Sequence, residues 1–118
     1  MTFSRGDIAL ARFPHTAGGR GKNRPVLVVQ ADAYNRTVPH LIVAEITSNT
    51  TRAGDPASLS IDMTKPEGQA TGLTRNSLVS FLHLATINAD RVDAKIGSLS
   101  GNLIQEMNDG LKAALDIP

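Results

Sequence analysis

Side-chain alternation with a period of two runs through most of this chain, and a helical period appears only at its end. That pattern constrains the fold more than any other feature, because a period-two segment sits stably only on a sheet. Strands are expected at Asp7–Phe13, Pro25–Gln30, Leu41–Thr47, Ser58–Ile61, Ser77–Phe81, near Thr86 and around Ala94–Ile96. Gly, Pro and polar residues separate them at Pro14–Asn23, Ser48–Pro56 and Thr64–Gly72. After Ser100, an expected N-cap, the apolar residues Leu103, Ile104, Met107, Leu111 and Leu115 recur at helical spacing. Gly110 interrupts this helix at a cost of about 1 kcal/mol relative to alanine, so the helix needs to dock on something to persist. Short strands closed by one amphipathic helix predict a mainly β (α+β) fold, a small and strongly bent barrel.

At 118 residues with 41% hydrophobic content, the chain has room for a single core, read here as one domain spanning 1–118. Three Phe, one Tyr and no Trp leave Val, Ile and Leu to fill it. The absence of cysteine excludes disulfides and cysteine-based metal or redox sites. No charged segment followed by an apolar run is present, and no stretch approaches ~18 apolar residues, so a cytoplasmic location is expected. In that setting Arg5-Gly6-Asp7 is not an adhesion tripeptide, and neither Asn35-Arg36-Thr37 nor Asn49-Thr50-Thr51 is a glycan acceptor.

Charge is polarised along the chain. Residues 1–36 carry Arg5, Arg12, Arg20, Lys22, Arg24 and Arg36 against Asp7 and Asp32, giving +4, while the remainder carries six cations against nine acids, giving −3. This distribution fits a polyanion meeting one face, or an ordinary solvated surface with dispersed cations. Several enzyme classes drop out. Gly21-Lys22 lacks the earlier glycine of a phosphate-binding loop, where Thr16 stands, and a strand follows instead of a helix. His15, His40 and His83 are too scattered for a zinc motif, and no Gly-x-Ser-x-Gly elbow exists.

Two segments carry the chemistry. Pro25 fixes its own φ and biases Arg24 toward extended backbone at the mouth of a strand. In Leu41–Thr47, Val43, Glu45 and Thr47 share one face, and Thr47-Ser48-Asn49 closes the strand. A guanidinium and two hydroxyls can hold a phosphate. The same hydroxyls can equally serve strand-end turn chemistry by bonding local backbone.

These residues stand in an order that resembles the MazF/PemK family of ribosome-independent RNA-cleaving toxins, the toxic half of bacterial type II toxin–antitoxin pairs. Arg5-Gly6-Asp7-Ile8, Asn23-Arg24-Pro25-Val26-Leu27, Ala33-Tyr34-Asn35, Ile46-Thr47-Ser48-Asn49 and Thr86-Ile87-Asn88 follow the family's sequence, as does the closing amphipathic helix. The resemblance covers nearly the whole length and sharpens the bent barrel to the SH3-like barrel of the MazF/PemK/CcdB type. It implies a metal-independent, sequence-specific endoribonuclease that cuts single-stranded RNA, mRNA included, needs no cofactor and inhibits translation and growth. The family's catalytic arginine and threonine/serine match Arg24, Thr47 and Ser48. The resemblance also implies a homodimer, and an antitoxin of the MazE/PemI kind with an acidic C-terminal segment.

In such an enzyme the RNA supplies its own nucleophile, the 2′-hydroxyl, and the protein positions the chain, stabilises charge on the phosphate and manages two protons. Arg24 suits the charge term, with Thr47 and Ser48 donating to the same oxygens or to the ribose. Some family members place an Arg-x-Asp pair on a later strand, where this chain has Ser80-Phe81-Leu82, so the acid and base stay open. His83 is read either as a proton carrier and RNA contact or as a packed core histidine. Glu45 is read as a base, or as a solvated carboxylate paired with Arg24. Arg20, Lys22, Asn49, Thr50 and Arg52 are expected substrate contacts, with Phe13, His15, Phe81 or arginine planes available for stacking. Two other readings use the same barrel: a non-catalytic CcdB-like poison of DNA gyrase, and a binding barrel whose site has decayed.

Overall fold

Val26, Leu27, Val28 and Val29 form a continuous apolar run, and the reason is that the sheet they belong to is covered on both faces. In the computed structural model, which describes residues 2–14 and 23–118, one antiparallel sheet holds β1 (Asp7–Ala11), β2 (Arg24–Val28), β3 (His40–Thr47), β4 (Ser58–Ile61), β5 (Ser77–Asn88) and β6 (Ala94–Ser98). Its spatial order is β4-β5-β3-β2-β1-β6. Short helices α1 (Asp32–Asn35) and α2 (Pro66–Gln69) and a 3-10 turn at Ala89–Arg91 lie between strands, and α3 (Gly101–Leu115) closes the chain. The curled mainly β sheet with a C-terminal helix is the architecture that the strand periods and the family resemblance predict.

Alternation sorts the core into two clusters. Leu27 and Val29 join Ile8, Ala44, Ile46, Leu59, Ile61, Val79 and Phe81 beneath Leu103 and Met107 of α3. Val26 and Val28 join Ala9, Ala11, Leu41, Val43, Ile87 and Val92, with Phe3 and Phe13 beside them. Aliphatic residues dominate both clusters, as the composition requires.

β5 departs from expectation. The sequence suggests a strand at Ser77–Phe81 and a separate one near Thr86, whereas one 12-residue strand runs from Ser77 to Asn88. The break in period is a bulge. Ala44 pairs with Leu84 but Glu45 pairs with Ser80, so Phe81, Leu82 and His83 have no opposite number on β3. Phe81 turns into the core while Leu82 and His83 face out, and the Phe81 N–H finds the Ala57 carbonyl at 2.9 Å. The one-turn helices α1 and α2 were not expected, because four residues are too few to show a helical period.

The segment read as a plain connection at Thr64–Gly72 packs against β6. Gly72 has φ +76°, and a β-carbon there would lie 2.0 Å from the Ile96 carbonyl oxygen. Ser98 N–H also donates to Ala70 O at 3.3 Å. The chain leaving β4 thereby reaches the far edge strand, which draws the two ends of the sheet together.

Arg5-Gly6-Asp7 works as a structural clamp. Arg5 Nε donates to Val29 O at 3.0 Å and Arg5 N–H to Asp32 Oδ1 at 2.7 Å. The buried Asp7 carboxylate accepts from Ser4 N–H at 2.7 Å and pairs with Lys95 Nζ at 3.2 Å. Asn35 is likewise engaged, exchanging side-chain bonds with Gln30 and donating to Asp32. Ser100 stands at the N-cap position of α3 but forms no side-chain cap, because its hydroxyl donates to Asn102 Oδ1 at 3.2 Å instead. Leu103 and Met107 are buried as expected, whereas Leu115 is 54% exposed.

Gly110 explains itself once packed. A β-carbon at Gly110 would lie 2.4 Å from Cδ2 of Phe81, a ring only 1% exposed and unable to retreat. Gly110→Ala would gain about 1 kcal/mol in helix propensity against roughly 1–3 kcal/mol of overpacking. Thermal melts of the variant should therefore show a lower Tm, and a raised Tm would disprove the close packing. A second prediction concerns Asp32. Its pKa is lowered by the Arg5 N–H bond first, then by Asn35 and by the charges of Arg36 and Arg5. A depressed folded-state pKa gives stability that is present above the unfolded value of 3.8 and lost as pH falls through the folded value. Asp32→Asn should lower stability at neutral pH and flatten its acid dependence below about pH 4 in denaturant titrations.

Candidate active site

Arg24 opens β2, half-buried, with Pro25 following and pairing with Leu10 across β1. Between β2 and β3 the register runs Val28↔Val43, Leu27↔Ala44 and Val26↔Glu45. Continuing it by two residues sets Arg24 opposite Thr47, and period-two alternation puts both on the face of Val26 and Glu45. Arg24, Thr47 and Ser48 line one cleft of about 230 Å³, together with Thr74 and Arg75 from the segment before β5. Arg24 Nε is buried without a hydrogen-bond partner among the described residues. A buried guanidinium N–H is normally satisfied, and this one borders the cleft.

Thr47 also lines a second cleft of about 210 Å³, which contains Glu45, Asn49, Arg52, Asp55, Ser80 and His83. His83 Nδ1 lies 3.0 Å from Glu45 Oε1. One of the two readings of each residue falls away here. His83 is no core histidine, since its side chain is 58% exposed, and Glu45, at 18%, is paired with His83 instead of standing solvated beside Arg24. The β5 bulge is the cause, because it carries His83 out of the ladder and over to Glu45.

The turn reading of Thr47-Ser48-Asn49 is also present in the structure. Thr47 Oγ1 accepts from Asn49 N–H at 3.1 Å, and Asn49 Oδ1 accepts from Thr51 N–H at 3.1 Å. A hydroxyl used as an acceptor keeps its own proton for donation, so Thr47 can serve the turn and a phosphate together. Arg52 pairs with Asp55 at 3.3 Å. The Asp55 carboxyl is held below the usual range by the Ala57 N–H, then by Arg52.

Of the expected substrate contacts, Asn49, Arg52 and His83 share the second cleft. Thr50 lines neither cleft; it is exposed, and its carbonyl accepts from Ala53 N–H. Arg20, Lys22 and His15 lie outside the described residues. Phe13 and Phe81, at 4% and 1% exposure, are core residues and unavailable for stacking. Sequence reasoning missed Arg75 and Thr74, which lie in a segment with no period to place them. It also missed a larger cavity of about 600 Å³ lined by Arg12, Asn23, Thr86, Asn88, Arg91 and Asp93. In it the Asn23 amide contacts the Asp93 carboxylate. Arg24 and Thr47 lie together in the cleft of about 230 Å³ and not in this larger cavity. Among the described residues no three His, Asp or Glu side chains are grouped to hold a metal ion, and no helix is long and apolar enough to cross a membrane.

Comparison with known proteins bears on the family and the fold. The chain is 34% identical over 119 residues to endoribonuclease MazF6 of Mycobacterium tuberculosis (strain ATCC 25618 / H37Rv), an alignment covering 99% of this chain and 100% of that protein. It is 32% identical over 116 residues to endoribonuclease EndoA of Bacillus subtilis (strain 168), covering 98% and 96%. The fold matches a mycobacterial endoribonuclease solved with its cognate antitoxin at a TM-score of 0.75 and 21% identity, covering 99% of this chain and 98% of that one. The model of PemK-like, MazF-like toxins matches residues 4–115, which takes in both clefts and every strand. The chain belongs to the PemK-like, MazF-like toxin family of type II toxin–antitoxin systems.

Proposed function

We propose that this chain is an endoribonuclease toxin that cleaves single-stranded RNA by in-line attack of a 2′-hydroxyl on the adjacent phosphorus, with Arg24, Thr47 and Ser48 holding the phosphate. The observation that carries this reading is the buried Nε of Arg24, without a hydrogen-bond partner among the described residues, in a cleft shared with Thr47 and Ser48. Negative charge grows on the non-bridging oxygens as the new P–O bond forms. A guanidinium fork strengthens its bonds to those oxygens in the transition state, and the two hydroxyls add neutral donors. The named relatives are endoribonucleases, which favours this reading over a gyrase poison on the same barrel. A fold match to a toxin solved with its cognate antitoxin supports an antitoxin as partner here too. With it go a two-fold dimer whose groove receives RNA and arrest of translation and growth as the consequence of cutting.

The first test is Arg24. Arg24→Ala should lower cleavage of RNA by about 10²-fold or more, equivalent to roughly 3 kcal/mol of lost transition-state stabilisation. Its circular dichroism should stay that of the wild type. Arg24→Lys should restore little, since a point charge does not reproduce the fork. Thr47→Ala and Ser48→Ala should each cost less. Near-wild-type cutting by Arg24→Ala would remove the site from this cleft.

The second test concerns the nucleophile. An RNA with one deoxyribose immediately 5′ of the scissile phosphate should bind with similar, salt-sensitive affinity and resist cutting. Normal RNA should be cut in the presence of EDTA, giving a 2′,3′-cyclic phosphate or 3′-phosphate and a free 5′-hydroxyl. A 5′-phosphate product, or activity lost to chelator and restored by magnesium, would mean that a metal-activated water attacks instead.

A further inference from the structure

We infer that Glu45 and His83 form a proton-handling dyad, in which His83 Nε2 takes the 2′-hydroxyl proton and Glu45 fixes the ring that does so. This rests on the RNA-cleaving reading above and names the base that reading lacks. With Glu45 ionised, its carboxylate offers only acceptors, and the 3.0 Å contact between Glu45 Oε1 and His83 Nδ1 then places the proton on Nδ1. The neutral ring then keeps its lone pair on Nε2, the nitrogen not engaged by Glu45, which is the form a general base needs. The exposures divide the labour. Glu45, at 18%, is sheltered against the sheet, while His83, at 58%, is open to a substrate.

Position supports the same assignment. Glu45 and Thr47 are two residues apart on β3 and face the same way, about 6.6 Å along the strand. Thr47 lines both the Arg24 cleft and the His83 cleft. A nucleotide with its phosphate at Arg24 and Thr47 can therefore extend toward the dyad. The other charged groups lining the His83 cleft, Arg52 and Asp55, pair with each other at 3.3 Å. The β5 bulge is what delivers His83, since a regular ladder would leave no three-residue excursion opposite Glu45.

The step balances without a further reactant. The O2′–H bond breaks and its proton passes to Nε2 as the O2′–P bond forms. The P–O5′ bond then breaks with its electron pair on O5′, which takes a proton from solvent. The product is the cyclic phosphate, and the imidazolium returns its proton to water.

The experiment is steady-state kinetics on one short RNA substrate with wild type, His83→Ala, His83→Asn, Glu45→Gln and Arg24→Ala. His83→Ala and His83→Asn should lose roughly 100-fold or more in kcat, with KM changed by less than about 3-fold. The wild-type limb of the pH–rate profile that reports the base should vanish in both. Added imidazole should raise the rate of His83→Ala and leave Arg24→Ala unchanged. Glu45→Gln should lose less. Nitrogen-15 NMR of the ring should show the proton on Nδ1 in the wild type and a mixture of tautomers in Glu45→Gln. His83 is exposed, so the fold should survive, and matching melting curves check it. A loss confined to KM would make His83 a binding residue and overturn the dyad, as would wild-type kcat in both His83 variants. If those variants cut normally while Arg24→Ala is dead, only the dyad falls; if the wild type cuts no RNA, both readings fall.

Discussion

The register jump between β3 and β5 is the constraint on which both the core and the candidate site depend. Three residues more on β5 than on β3 between adjacent pairs force an excursion, and its ends are used differently. Phe81 enters the core, where α3 covers it, and His83 leaves the sheet to meet Glu45. A regular ladder would send these side chains to alternate faces in strict order and could do only one of the two.

The helix belongs to this argument because Phe81 lies between it and the sheet. Gly110 removes the side chain that would otherwise hold α3 off the Phe81 ring. Leu103 and Met107 then reach the same cluster as Leu59, Ile61 and Val79. A helix residue with poor intrinsic propensity is thus the one that lets the helix dock, and the apolar burial gained offsets the propensity lost.

On the opposite side of the sheet, the pairing of β2 with β3 does for Arg24 what the bulge does for His83. Pro25 keeps Arg24 extended at the strand mouth, and the pairing of Val26 with Glu45 carries β3 on toward Thr47, which lines the same cleft. Arg24 then stands half-buried, its Nε without a hydrogen-bond partner among the described residues. One N-terminal cation that gives the chain its polarity does other work: Arg5 ties Val29 and α1 to the N-terminal segment. Charge counted along a sequence does not say which cations remain free to meet a polyanion.

What the sequence determined by itself follows from local physics. Period-two alternation marked the strands, though not the continuity of β5, the apolar spacing of Leu103, Met107 and Leu111 marked the helix, and Arg24-Pro25 and Thr47-Ser48 marked two strand ends. Each depends on neighbours within a few residues, which a sequence shows directly. Tertiary structure alone decided the rest. The Glu45–His83 contact joins residues 38 apart in the chain, and no local pattern specifies it. Phe81 became core instead of a stacking surface because the bulge turned it inward, and Arg75 entered the Arg24 cleft from a segment without periodicity. Gly72 reads as a loop glycine until β6 closes on it. In every such case the deciding quantity is a strand register or a close approach between distant segments, fixed only when the whole core packs.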